Sequence, residues 1–538
     1  MSRLAIYARS LTANWVGFLA NLVVAFMLAP FVLRSLGESA YGVWILLVEL
    51  TGYLGLIEMG TQAGLGRHIN YYLGRGEIDR VNGFVNTALL FFLAAGAAIL
   101  LLAGGLALAL DSVFTKIPSE LVASARPALL LVAVNLILAL LGAVFPLILN
   151  AFDRFDLSNA VNLVVLAVRT VGTILVLKQD GGLVELAGVQ VVSSVIGAGA
   201  GMLLARRVFP SLRLDLRLWS RERFRELFGF GIWAFVGQIG MQFLYWSSTI
   251  LITVLLGPAM VVFFSMPMML IQYGRGVVDN MAGVLGPQTI KASSVGDHVE
   301  LRRIFSWGSK VIMFVAIPLF GGLMVYGGEF LILWLGPHFA RSAAVLLLLA
   351  VPQWVVWSIR PGVNVILGLG HVRFAGLMTL GQGVLNVAAT LFYVLVLKMG
   401  LLGVAWGLLV PMIAFNSVIA WFVLRWIDMP PRQFLVRNVG RYAVTATAFL
   451  ALAWGVSYVG RREVWAWFFA KVIFLVLAAA PLGWYGVFSR DERCELGQRI
   501  RDMLRRKRRE IPQGPASVET SEASQPPPPP PQDEGEPG

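Results

Sequence analysis

Runs of roughly 18–25 apolar residues recur along almost the whole chain, each long enough to cross a hydrocarbon core about 30 Å thick. A backbone in hydrocarbon must satisfy its own polar groups, so runs of this length fold as helices. They also exclude a β-barrel, whose strands alternate apolar and polar residues. Composition agrees: 58% of the 538 residues are hydrophobic, only 14% are charged, and mean hydropathy is +0.76. An ordinary globular chain carries about 25% charged residues. The sequence predicts an all-α polytopic membrane protein.

Fourteen transmembrane helices are expected, at 11–33, 40–61, 83–109, 124–150, 157–177, 183–205, 230–255, 259–281, 304–328, 342–367, 374–397, 401–424, 439–459 and 464–488. An even number of crossings puts both termini on one side, and lysine and arginine identify that side. Of the 43 Lys and Arg residues, nine fall outside (Arg34, Lys116, Arg126, Lys178, Arg341, Lys398, Arg461, Arg462 and Lys471) and 31 inside. Arg169, Arg275 and Arg360 remain within spans. Both termini are therefore expected to be cytoplasmic. The net charge of +13 reads as a topology signal and calls for no nucleic-acid partner.

The first apolar run follows Arg3 and Arg9 with no A-x-A-like cleavage site, so it reads as a retained helix. One cysteine, Cys494, rules out an internal disulfide. His68, His298, His338 and His371 show no metal-ligand spacing, and no G-x-x-x-x-G-K-[ST] or G-x-S-x-G is present. No catalytic residue, metal or cofactor is expected. The small residues "GAGAG" at 197–201 read as a close-packing face. The inter-lobe segment carries seven arginines between Arg206 and Arg225 and reads as an interfacial stretch on anionic lipid headgroups, as does the tail run "RRKRRE". Beyond it, Ile511–Gly538 has six consecutive prolines and too little apolar surface for a core.

The chain repeats at an offset of about 220 residues. L-V-L-K occurs at 175–178 and 395–398, and Leu36-Gly37 matches Leu256-Gly257. Six spans separate the copies, so both enter the membrane the same way. The expected organisation is an N-terminal six-helix lobe (1–205), a basic linker (206–229), a second six-helix lobe (230–424), two additional helices (425–488) and a cytoplasmic tail (489–538). Two facing lobes with a site between them describe an alternating-access transporter. No outer loop exceeds about fifteen residues, which speaks against a membrane-embedded glycan polymerase or ligase.

Charges inside the spans mark the candidate site, because a carboxylate at mid-bilayer costs roughly 2.5–3.5 kcal/mol on insertion scales. Glu49 and Glu58 lie nine residues apart and face opposite sides of their helix. The span opposite in the repeat holds Arg275 and Asp279, spaced i, i+4 on one face. The first helix of each lobe adds amides, Asn14 and Asn21 in one, Gln238 and Gln242 in the other. Arg67 follows Glu58 near the inner surface. Arg169 and Arg360 complete the set; Arg360 precedes Pro361, at an expected helix break. Trp233 and Trp246 read as interfacial anchors. Pro30, Pro146, Pro267, Pro318, Pro352 and Pro411 lie inside spans.

The stretch "RSLGESAYGVWILLVELTGYLGLIEMGTQAGLGRHINYYLGRGEIDRVNGFVNTAL" (34–89) resembles the N-terminal signature of bacterial polysaccharide flippases of the Wzx type. These O-antigen and exopolysaccharide transporters belong to the superfamily that includes multidrug and toxic-compound extruders. The matching positions are Leu36-Gly37, Tyr41-Gly42 with Trp44, Glu58 with Gly60, Arg67, and Gly76-Glu77. The family usually has Asp where this chain has Glu58. The resemblance covers residues 1–490 and implies flipping of an undecaprenyl-diphosphate oligosaccharide across the bacterial inner membrane. It also implies anionic lipids and polysaccharide-assembly proteins as partners. A cation-coupled multidrug exporter shares this fold, but the first helix here, 11–33, has no carboxylate for a coupling ion.

Overall fold

The computed structural model describes residues 3–58, 60–229, 232–283, 285–459 and 464–494, with side chains from Trp15 onward. The Pro-rich tail and the Asn14 side chain lie outside the described residues. Among the described residues there are helices and turns and no strand. The first half comprises α1 (Arg3–Leu54), α2 (Thr61–Gly74), α3 (Ile78–Leu108), α4 (Leu110–Val113), α5 (Ser119–Gly142), α6 (Val144–Ala151), α7 (Phe155–Lys178) and α8 (Leu183–Val208). After α9 (Arg221–Gly229) come α10 (Ile232–Tyr245), α11 (Ser247–Leu255), α12 (Pro258–Gly283), α13 (Gly286–Ser294), α14 (His298–Leu335), α15 (Ser342–Ser358), α16 (Arg360–Gly368), α17 (Val372–Leu391) and α18 (Gly400–Trp426). The chain ends in α19 (Pro431–Phe434), α20 (Gly440–Ser457) and α21 (Trp465–Gly486). Among the described residues, twelve helical segments are long and apolar enough to cross a membrane. The described residues up to Val487 form one compact unit.

Breaks fall where sequence chemistry puts them. Inside α1, Gly37 takes φ 78° and ψ 167°, outside the helical region, and only glycine reaches such a conformation without penalty. Pro361 opens α16, where its missing N–H costs nothing. The predicted repeat leaves matching local geometry. Gly76 and Gly296 both have positive φ, 73° and 68°. Each precedes an acidic residue whose N–H bonds back at 3.0 Å, Glu77 to Tyr72 O and Asp297 to Ala292 O. The "GAGAG" glycines do admit close neighbours: a Cβ on Gly197 would lie 2.6 Å from Val165 Cγ2.

The two halves meet along α1, α11 and α12. At the end where Gly37 and Gly257 lie, a Cβ on Gly42 would fall 1.9 Å from the Pro258 carbonyl oxygen. Further along, one on Gly52 would fall 1.8 Å from the Trp246 ring. The Trp246 indole thus fills a slot between helices. Phe18 and Phe26 of α1 pack against Gly276 and Tyr273 of α12.

The linker is fastened more firmly than a headgroup-floating segment needs to be. Buried Asn82 and Asn86 of α3 grip the extended stretch 211–215 as neighbouring strands would. Asn82 donates to Ser211 O at 2.9 Å and accepts from Arg213 N at 3.0 Å. Asn86 donates to Arg213 O at 2.6 Å and accepts from Asp215 N at 2.9 Å. The arginines at 206, 207, 213, 217, 221 and 225 stay exposed around this strap.

Candidate functional site

A polar cavity of about 250 Å³ sits between the halves. From the first half it is lined by Asn21, Tyr41, Trp44, Arg169, Thr173 and Gln190, and from α12 by Met269 and Tyr273. Arg169 reaches it because α7 packs beside α1, and it interacts electrostatically with Tyr273 across the junction. Gln190 is held by Asn135 at 3.3 Å, and Asn135 in turn by the Ser194 hydroxyl at 2.7 Å. Asn21 donates to its own helix at Gly17 O, 2.9 Å away, which leaves its carbonyl oxygen free to accept. The cavity therefore offers one fixed cation among amides and hydroxyls, in walls otherwise apolar.

A second cluster surrounds the far half of α12. The expected i, i+4 partnership of Arg275 with Asp279 does not form. Asp279 pairs with Arg360, at 2.8 Å to Nε and 2.6 Å to the terminal nitrogen. The break before Pro361 swings the start of α16 against α12 and delivers Arg360 to that carboxylate. Arg360 and Asp279 are thus each other's partners across two helices. Arg275 instead lies over the Tyr245 ring, 4.2 Å from its centroid. Its Nε is buried with no hydrogen-bond partner. A guanidinium with one buried donor unspent is suited to an incoming oxyanion.

The carboxylates of the first half divide. Glu49 sits in the junction near Thr249, with Oε2 buried and unpartnered. Beside it Tyr53 donates to Gln242 O at 3.0 Å, and Gln242 Nε2 donates to Gly52 O at 3.3 Å. Gln242 is thus a junction residue and Gln238 is exposed. Glu58 ends a one-turn 3-10 segment and accepts from Gln62 Nε2 at 2.9 Å. Arg67 is exposed on α2. The structure brings together Asn21 with Arg169, Asp279 with Arg360, and Glu49 with Gln242. It does not gather all the polar stripes into one pocket.

Residue types that pass for anchors hide part of the site. Tyr41, Tyr245 and Tyr273 carry no charge to mark them within their apolar spans. The signal available was the polar run Tyr245-Trp246-Ser247-Ser248-Thr249 inside an apolar span. Lys471, expected at an outer span end, is buried in α21 and paired with Glu329 of α14 at 3.1 Å.

A sequence profile of the family described as polysaccharide biosynthesis protein matches residues 31–344. The chain is 21% identical to the uncharacterized membrane protein EpsK of Bacillus subtilis (strain 168), over 91% of this chain and 97% of that one. It is 22% identical to a putative O-antigen transporter of Shigella flexneri, covering 77% and 96%. The lipid II flippase MurJ in an inward closed conformation superposes with a TM-score of 0.67 at 13% identity, over 88% of this chain and 98% of MurJ.

Proposed function

Because the chain belongs to the polysaccharide biosynthesis protein family, we propose that it flips a lipid-linked oligosaccharide across the bacterial cytoplasmic membrane. The observation that carries this is the polar cavity between the two halves of an otherwise apolar bundle. The relatives named as O-antigen transporter and lipid II flippase support the same reading. The expected cargo is an undecaprenyl-diphosphate glycan. Its diphosphate cannot cross hydrocarbon bare, and Arg275 with its unspent Nε is the group we assign to meet it. Arg169 is the second such cation, and Asn21, Gln190 and Tyr273 suit sugar hydroxyls. Anionic lipids at the linker arginines and polysaccharide-assembly proteins are the expected partners.

We read the twelve apolar helical segments as fourteen crossings, dividing the first at Gly37 and adding the broken pair α10–α11. Helices through α8 then make one lobe, α10–α18 the other, with α20 and α21 outside the repeat. The basic end near Gly76 and Gly296 faces the cytoplasm. The contact of Gly42 with Pro258 closes the outer end and that of Tyr53 with Gln242 holds the halves together deeper in the bundle, and alternating access requires the first to part. The test is a reconstituted one. Proteoliposomes carrying a fluorescent undecaprenyl-diphosphate disaccharide are exposed to a membrane-impermeant quencher. Flipping takes quenching past the half that protein-free liposomes show. A plateau at one half, with export of a cationic dye by the same protein, overturns the proposal in favour of a drug exporter.

A further inference from the structure

An apolar cavity of about 540 Å³ lies away from the junction, between α14, α15, α18 and α19–α20. Its volume falls in the roughly 300–1,000 Å³ range of ligand pockets. Trp354, Trp421, Phe434, Leu435 and Ala446 line it, with the Ser358 and Tyr442 hydroxyls as minor polar notes. Leu435 and Val436, at its rim, are 56% and 66% exposed. They lie on a five-residue π-helical turn, Leu435–Val439.

The rim is positively charged. Arg425 places its guanidinium 5.5 Å from the centroid of Trp421, which lines the cavity. Arg432 and Arg437 are exposed on the short segment that forms the remaining wall. One acid, Asp428, lies between Arg425 and Arg441, and it is engaged elsewhere. Its carboxylate is 3.3 Å from His298 Nδ1, and its carbonyl oxygen accepts from Arg302. Those contacts tie the segment to the start of α14, at the same end as Gly296. Apolar walls of acyl-chain character under a crescent of arginines complement one molecule type: an amphiphile with an anionic head.

We propose that this cavity seats one anionic phospholipid, its acyl chain among Trp354, Trp421 and Phe434 and its phosphate at Arg425, Arg432 and Arg437. The seat is separate from the polar cavity and does not depend on the flippase reading. It fills the space between α20 and the preceding helices, beside direct contacts such as that of Lys471 with Glu329.

The test uses the purified full chain in detergent, offered equal amounts of phosphatidylglycerol and phosphatidylethanolamine of the same chain length, with retained lipids counted by native mass spectrometry. Wild type should retain one phosphatidylglycerol preferentially. The triple variant Arg425→Gln, Arg432→Gln, Arg437→Gln should lower that preference tenfold or more. Ala443→Phe, at an exposed lining position, should reduce retention of both lipids. Ala446→Phe should do the same from inside, and melting temperature reports whether either variant is folded. Equal retention of the two lipids by wild type overturns the proposal, as does an unchanged preference in the triple variant. Displacement of phosphatidylglycerol by equimolar undecaprenyl phosphate, insensitive to the arginine changes, overturns it in favour of a seat for a prenyl chain.

Discussion

Arg275, Asp279 and Arg360 show how spacing along one helix can miss a partner supplied by another. Spacing along one helix joined Arg275 to Asp279, but 81 residues further on a proline-induced break brings a competing guanidinium within 2.6 Å. No local rule sees a partner that distant. The pairing has a measurable consequence. Arg275→Ala should leave protein abundance near normal, because Asp279 keeps Arg360, while transport falls. Arg360→Ala should lower abundance by stranding Asp279, and the double change Arg360→Ala with Asp279→Ala should restore it. The destabilisation should stay below the ~3–5 kcal/mol of a fully buried pair, since these side chains are 32% and 39% exposed. Immunoblotting of membranes alongside surface glycan separates the two readouts. His68 offers a second residue-scale test. It stacks on Phe84 at 4.4 Å and 5°. Burial pushes its imidazole below the usual 6.5, against the pull of Glu226 and with the push of Arg67. The fold favours the neutral ring, so this contribution is complete above about pH 6.5 and is lost as pH falls through the depressed value. Melting temperature should drop on mild acidification in wild type, and less in His68→Phe.

Elements were legible wherever hydropathy alone decides them, because a backbone in hydrocarbon has no alternative to the helix. Where they bend was legible at Pro361. The turn at Gly296-Asp297, the counterpart of Gly76-Glu77 exactly 220 residues on, was equally open to inspection, but the residues around it differ. The linker was the least legible element. Its arginines suggested lipid, yet what holds it is a pair of asparagines that read in sequence as the first turns of a helix. A buried amide bridging two strands' worth of backbone leaves no periodic trace. Asn86→Ala should remove the partner of the Arg213 carbonyl and the Asp215 N–H, at a cost below the ~1–3 kcal/mol of a fully buried unpaired group because both residues reach solvent. The strap then loosens. Trypsin should cut at Arg213 or Arg217 faster in this variant than in wild type in detergent, and equal cutting rates would show that the strap holds by other means.

For the whole molecule, Gly42 against the Pro258 carbonyl is a joint of backbone on backbone between the halves, and any side chain at position 42 acts as a wedge. Gly42→Ala should separate the helices at that end and shift the population towards a form open there. With Cys494, exposed in the structure, replaced by Ser, a cysteine at Ala259 should react faster with a membrane-impermeant maleimide in the Gly42→Ala background. Unchanged labelling would mean that the joint yields without opening. The sequence repeat could be read at the turns, where Gly76 and Gly296 share a positive φ. The surfaces by which the halves meet could not, since Gly42, Gly52 and Trp246 look like ordinary span residues until the partner is in place. The asparagine strap also bears on the order of assembly at the ribosome. Its five captured residues directly follow the last helix of the first half, so they emerge while the second half is still unwritten. Asn82 and Asn86 can take hold of them at once, as N-terminal units that fold first require. The nascent chain thus closes off its first half with its own next segment, and α10 is threaded into the membrane beside a partner already sealed.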